Sequence, residues 1–203
     1  MRKTIFLAVL SLALPIATWA SGIDFSNKGG TIQISGSGIL SKGVVIKSYN
    51  GIVAPGGHNL GTVSYTTGAL ISGSLQAGGT FSSTGSSFRA IGNGRYGQPK
   101  GVIFNGTFVG DITWTFMGKS GGVLEYQLTG DLSGQLYNGR TVSGSTTQNY
   151  WTTKAQLAKG IMHGMGGTTK LGVIGTPEPG TLGLLGTGLV ACAGLVRRRL
   201  KRP

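Results

Sequence analysis

The stretch Val102-Ile103-Phe104-Asn105-Gly106-Thr107-Phe108-Val109-Gly110-Asp111-Ile112-Thr113-Trp114-Thr115-Phe116-Met117 reads with a period of two. Its even positions run Val102, Phe104, Gly106, Phe108, Gly110, Ile112, Trp114, Phe116, and every one that is not glycine is large and apolar. The odd positions include Asn105, Thr107, Asp111, Thr113 and Thr115. Successive side chains of a strand point to opposite faces, so this alternation is the apolar and the polar face of a sheet. Asn-Gly is ordinarily the strongest short hairpin signal. At Asn105-Gly106, however, a two-residue loop would pair Phe104 with Thr107 and reverse the parity, yet the even face continues. A three-residue loop at Val109-Gly110-Asp111 preserves the face by pairing Phe108 with Ile112, so the bend is expected there.

Outward from this segment, further strands are expected at Thr31–Ser35, Val44–Tyr49, Thr62–Thr67, Ala69–Leu75, Thr80–Ser83, Ser87–Ile91, Val123–Thr129, Gln135–Tyr137 and Thr141–Trp151. Gly-Gly, Asn-Gly and Pro-Gly pairs bound them, with Asn50-Gly51, Asn93-Gly94 and Asn138-Gly139 as the better turns. Strands at about ten-residue spacing without helical patterns between them indicate an all-β antiparallel sandwich or barrel-like single domain. A parallel β-helix is the alternative, but no fixed repeat period accompanies the glycines. Lys154–His163 is the one plausible helix, and 164–176 read as a flexible spacer, which leaves 21–163 as the β-rich domain.

Composition narrows the chemistry. The 203 residues include 39 glycines, and charged residues make up only 11%. Glycine costs about 1 kcal/mol at each helix-interior position relative to alanine, which disfavours helical architectures. A single cysteine excludes a disulfide scaffold and any cysteine-based zinc site. Two histidines and five acids leave little material for metal or acid–base chemistry, so no cofactor or metal is expected.

Three motif matches fail on context. Gly118-Lys119-Ser120-Gly121-Gly122 matches a nucleophile elbow, but a strand rather than a helix follows it. Gly92-Asn93-Gly94-Arg95-Tyr96-Gly97 matches a dinucleotide fingerprint without the helix that would hold a pyrophosphate. Asn105-Gly106-Thr107 is a glycosylation sequon. Among the acids, Asp111 and Asp131 look like turn residues, whereas Glu125 sits in mid-strand. A hydrolase would need Glu125 and one of those aspartates about 5–10 Å apart. Met162-His163-Gly164-Met165 offers soft ligands in a row, but too few for a copper site. The net charge over 21–176 is +7, from 11 basic and 4 acidic residues, and it is spread out. Nucleic-acid binding needs a basic stripe with stacking aromatics, and Tyr96 between Arg95 and Lys100 is too thin to supply one. Diffuse positive charge suits anionic polysaccharide instead.

The two ends are addresses. Arg2 and Lys3 precede an apolar run to Ala17, and Ala20 closes a small-residue cleavage site with Thr18 at −3, so 1–20 read as a secretory signal peptide. At the other end Pro177-Glu178-Pro179 is followed by 180–196, seventeen residues without charge and long enough for a transmembrane helix. Arg197, Arg198, Arg199, Lys201 and Arg202 then form a basic cluster that stays cytoplasmic under the positive-inside rule. This order of tripeptide, glycine-rich span and basic terminus resembles the PEP-CTERM sorting signal of Gram-negative bacteria.

The resemblance covers 176–203, with the sorting signal itself at 177–203, and implies export, an inner-membrane anchored precursor, and processing near Pro177-Glu178-Pro179 by the membrane protease exosortase. It further implies residence at the cell surface or in the extracellular matrix. Together with the poverty of catalytic groups, it leads to the expectation of a non-enzymatic matrix protein, structural or weakly glycan-binding. The alternatives are a carbohydrate-active hydrolase using Glu125 with Asp111 or Asp131, and a self-associating surface coat subunit.

Overall fold

In the computed structural model, which describes residues 22–173, the chain forms twelve strands and one short helix. The strands are β1 (Ile23–Lys28), β2 (Thr31–Ser35), β3 (Gly38–Tyr49), β4 (Ile52–Val53), β5 (Gly61–Thr66) and β6 (Leu70–Ser74), then β7 (Gly78–Phe81), β8 (Ser87–Asn93), β9 (Lys100–Ser120), β10 (Val123–Leu136), β11 (Thr141–Thr153) and β12 (Ile161–Val173). Helix α1 (Lys154–Ala158) separates the last two. Pairing runs β9-β10-β11-β12-β1-β3-β5-β8 and returns to β9, so eight antiparallel strands close a barrel. Closure leaves that circuit without edges. The sandwich and the parallel β-helix are thereby set aside.

The barrel interior is the core. Tyr65 stacks on Phe88 at 5.8 Å, Phe108 meets both rings edge-on, and Trp114 lies flat on Tyr126 at 4.9 Å. Outward positions carry Ser64, Arg89, Asn105, Thr113, Thr129 and Ser145. Apolar inside and polar outside is the inverse of a lipid-facing barrel. Among the described residues no helix is long and apolar enough to cross a membrane, and the 180–196 stretch lies outside them.

The segment that decided the fold class is one continuous strand rather than a hairpin. Phe104, Phe108, Ile112 and Trp114 all face the core, as the even parity requires. The expected bend at Val109-Gly110-Asp111 is instead a bulge. Val109 pairs with Asp131 while Thr113 pairs with Thr129, so three residues of β9 stand opposite Gly130 alone. Two extra residues leave the parity unchanged, which is why a bulge and a three-residue loop give the same sequence pattern. Gly110 takes the left-handed φ of 69° that the bulge needs. Beyond it, β9 leaves β8 and pairs with β7. Asn105-Gly106 is not a turn: Gly106 lies in mid-strand opposite Gly134, and a Cβ there would meet the Phe104 ring at 2.6 Å.

The turn readings hold at Asn50-Gly51, whose φ values of 46° and 81° make the two-residue hairpin between β3 and β4. Gly121-Gly122 likewise joins β9 to β10, so the serine of Gly118–Gly122 sits on a hairpin and not on a nucleophile elbow. Gln135–Tyr137 is not a separate strand, because β10 runs through to Leu136.

Two corrections concern the end of the domain. The helix expected over Lys154–His163 stops at Ala158. Residues 164–173 are not a spacer: they belong to β12, which pairs with β11 on one side and β1 on the other and completes the barrel. The β domain therefore continues ten residues past the expected boundary at 163. The period-two reading fails here for a physical reason. Met162 faces inward, Met165 is extruded in a bulge, and the inward positions then become Gly167, Thr169 and Leu171, so the parity flips within one strand.

Candidate functional site

Strands β10, β11 and β12 lie side by side, and their register brings three outward side chains into one row. Glu125 is directly opposite Trp151, and Trp151 is directly opposite His163. Facing pairs on a sheet have Cβ atoms about 5 Å apart, so the row spans about 10 Å. It continues to Thr31 on β2 and Lys42 on β3, around the shoulder of the barrel. All three central residues are half-buried. The Trp151 and His163 rings lie 4.7 Å apart, tilted by 33°.

The next outward pair along β10 and β11 is Gln127 and Asn149, and Gln127 Nε2 donates to Asn149 Oδ1 at 3.0 Å. That bond leaves Gln127 Oε1 and the Asn149 amide N–H groups free to meet a ligand. The entry into α1 fixes the histidine. Thr153 caps the helix, accepting from Gln156 N, while its own N–H donates to Gln156 Oε1 at 3.3 Å. The Gln156 amide is thereby oriented so that its Nε2 donates to His163 Nε2 at 3.1 Å. An accepting Nε2 places the imidazole proton on Nδ1. Among the described residues, neither the Glu125 carboxylate nor the Trp151 indole N–H has a hydrogen-bond partner beside those neighbouring bonds.

The acids do not form a catalytic pair with Glu125. Asp131 lies six residues further along β10, about 20 Å away at about 3.3 Å per residue. Asp111 lies in the bulge opposite Gly130, five residues from Glu125, or about 16 Å by the same rise. Both separations exceed what a glycosidase pair spans. Neither aspartate is a turn residue: Asp131 is in mid-strand and Asp111 is in the bulge.

The Met162-His163-Gly164-Met165 ligands are split between faces. Met162 is inside the barrel at 0% exposure, whereas Met165 is 43% exposed in its bulge. Among the described residues no group of three or more His, Cys, Asp or Glu side chains converges. Tyr96 is exposed at the tip of the Gly92–Gly97 loop, with a left-handed φ of 56°, and strand β9 follows in place of a helix. Lys42, Arg89 and Lys170 point outward from three separate strands, so the positive charge is distributed around the wall. One concavity of about 550 Å³ is lined by Gln33, Ser35, Thr66 and Lys159.

Sequence reasoning weighs His163 only as a copper ligand and assigns Trp151 no role. The signal was present: Trp151 shares the parity of Ser143, Ser145, Thr147 and Asn149, so it is a large aromatic on a polar face. His163 carries no such signal, because the bulge at Met165 breaks the alternation of its strand.

Ala20, Pro177, Glu178, Pro179, Arg197, Arg198, Arg199, Lys201 and Arg202 lie outside the described residues. The PEP-CTERM protein-sorting motif matches residues 175–199, about an eighth of the chain. Lys201 and Arg202 follow the matched segment. The motif implies an exported protein that exosortase processes. Comparison with curated proteins and with solved structures gives no match.

Proposed function

We propose that the barrel is the working part of a non-enzymatic protein of the extracellular polysaccharide matrix, and that it binds glycan weakly through its outer wall. The observation that carries this reading is the outward row Glu125, Trp151 and His163, an aromatic pair edged by unpaired polar groups. The sorting motif, which implies export, supports this reading. A cell-surface or matrix location in a Gram-negative bacterium, reached through an inner-membrane anchored precursor held by 180–196, belongs to the same reading. The net +7 of 21–176 adds long-range attraction to anionic chains, which salt weakens. The separation of Glu125 from Asp111 and Asp131 supports a role without catalysis.

The coat-subunit alternative has less support. The edge strand β6 is only five residues long, and its register shifts at Ile71, a device that blunts edge-to-edge pairing.

The test is a pull-down of the purified protein with the host's own exopolysaccharide at low and high salt. Retention at high salt is expected from contacts at the row. Binding lost with salt reduces the reading to charge attraction, and no binding at either salt overturns it.

A further inference from the structure

We infer that the face formed by β10, β11 and β12 is a subsite for an uncharged pyranose ring, seated on Trp151 and bordered by Glu125, Gln127, Asn149 and His163. This inference rests on the glycan-binding reading above and names the ligand class of the same surface.

A pyranose presents C–H groups on its faces and hydroxyls around its rim, so its receptor needs an apolar plane edged by both donors and acceptors. The indole supplies the plane, and its negative π face favours the slightly positive C–H groups. His163, tilted by 33° at a centroid distance of 4.7 Å, lies against one face of the indole and holds it in orientation. The edge carries both kinds of hydrogen-bonding group. Glu125 and Gln127 Oε1 accept, while the Asn149 amide, the Trp151 indole N–H and His163 Nδ1–H donate.

These groups are held before any ligand arrives. Gln127 is tied to Asn149, and His163 is tied through Gln156 to the Thr153 cap, so little side-chain freedom is lost on binding. Glu125 is the unexplained member: an outward acid at the third position of β10, in a domain with only 4 acids, with no ion-pair partner among the described residues. A carboxylate in that place accepts from vicinal hydroxyls and repels a uronate or a sulfate. The diffuse positive charge attracts anionic chains to the wall as a whole, but this particular face selects a neutral ring. Its width of about two strand spacings fits a short contact rather than a long cleft. Weak affinity for each ring follows, and binding to a polymer accumulates through repeated engagement.

The experiment uses the full chain in detergent, titrated calorimetrically with the neutral and the anionic fractions of the host's exopolysaccharide, separated by anion exchange, at low and high salt. The neutral fraction is expected to bind with little salt dependence. Trp151→Ala should weaken that binding about tenfold, which corresponds to about 1.4 kcal/mol. Trp151→Phe should weaken it less, since a ring remains, and it serves as the second variant if the alanine variant is poorly folded. Glu125→Gln should weaken the neutral fraction a few-fold and improve binding of the anionic one. Arg89→Ala, on β8 opposite β12 in the circuit, should leave the neutral fraction unchanged.

Equal binding of the neutral fraction by wild type and by both Trp151 variants overturns the subsite. Binding confined to the anionic fraction and lost at high salt also overturns it, yet leaves the matrix-binding reading in place. Failure of both fractions to bind overturns the two together.

Discussion

Gly167→Ala tests the least expected part of the fold, the strand made by residues 161–173. Gly167 lies between Gln148 on β11 and Asn27 on β1, and all three face the barrel interior. The two amides meet across it. Asn27 Nδ2 donates to Gln148 Oε1 at 2.7 Å, and Gln148 Nε2 donates to Asn27 Oδ1 at 3.2 Å. Gln148 Nε2 also donates to Thr146 Oγ1 at 2.8 Å, and Thr146 bonds Thr169 at 2.9 Å. The Gln148 side chain lies directly over the glycine, because a Cβ on Gly167 would stand 2.2 Å from Gln148 Oε1 and 2.4 Å from its Cδ.

Gly167 lies outside the left-handed region, so the backbone accepts alanine and the penalty is purely steric. Gln148 must then move away, and Asn27, only 4% exposed, loses both bonds. Two hydrogen bonds at about 1 kcal/mol each, plus about 1–2 kcal/mol for a buried amide left unpaired, give about 3–4 kcal/mol. Urea denaturation followed by near-ultraviolet dichroism measures this as a fall in midpoint at constant slope. The cause is isolated by repeating the substitution in a Gln148→Ala background, where the clash is absent. There Gly167→Ala should add less than about 1 kcal/mol, which makes the coupling the larger part of the effect. Gly172→Ala, whose Cβ would have no neighbour closer than 3.9 Å, is the control on the same strand. A cost below about 1 kcal/mol in the wild-type background, or equal costs in the two backgrounds, would refute the buried amide bridge.

Two further outcomes follow from the interior and from the helix cap. Tyr65 is buried against the Tyr150 hydroxyl, and burial raises its pKa well above the ordinary 10.0. The unfolded chain therefore ionises first. Stability is retained below pH 10 and falls above it, by about 1.4 kcal/mol per pH unit from Tyr65 alone. Tyr49 and Tyr126 are raised in the same direction. Denaturation midpoints at pH 8, 10 and 11 check this, and a flat profile across that range would contradict it. Thr153→Ala removes the side chain that caps α1 and should cost about 1 kcal/mol. It should also release Gln156 from its fixed orientation, and nitrogen-15 shifts of His163 would then report a mixture of tautomers in place of one.

Much of the fold was legible because strands buried on one face write their geometry as alternation. The even face of 102–117, the inward Leu124, Tyr126 and Leu128, and the Asn50-Gly51 turn all follow from local rules of pleat and dihedral angle. The continuity of β9 was not legible, since an insertion of two residues preserves parity whether the chain turns back or bulges onward. β12 was hidden for the opposite reason. Its bulge at Met165 flips the parity, and two of the inward positions after it, Gly167 and Thr169, serve a polar bridge rather than apolar burial.

What the sequence determined by itself is what short-range chemistry records. The terminal sorting motif, the exclusion of cysteine-based sites and the all-β class are visible in composition and order alone. The tertiary structure decided what depends on register between strands distant in the chain. Barrel closure joins residues 167–171 of β12 to 23–27 of β1. The candidate surface joins Glu125, Trp151 and His163 across three strands. The same register holds Glu125 apart from Asp111 and Asp131, because side chains on a sheet meet across neighbouring strands within about 5 Å but separate by about 3.3 Å for every residue along one.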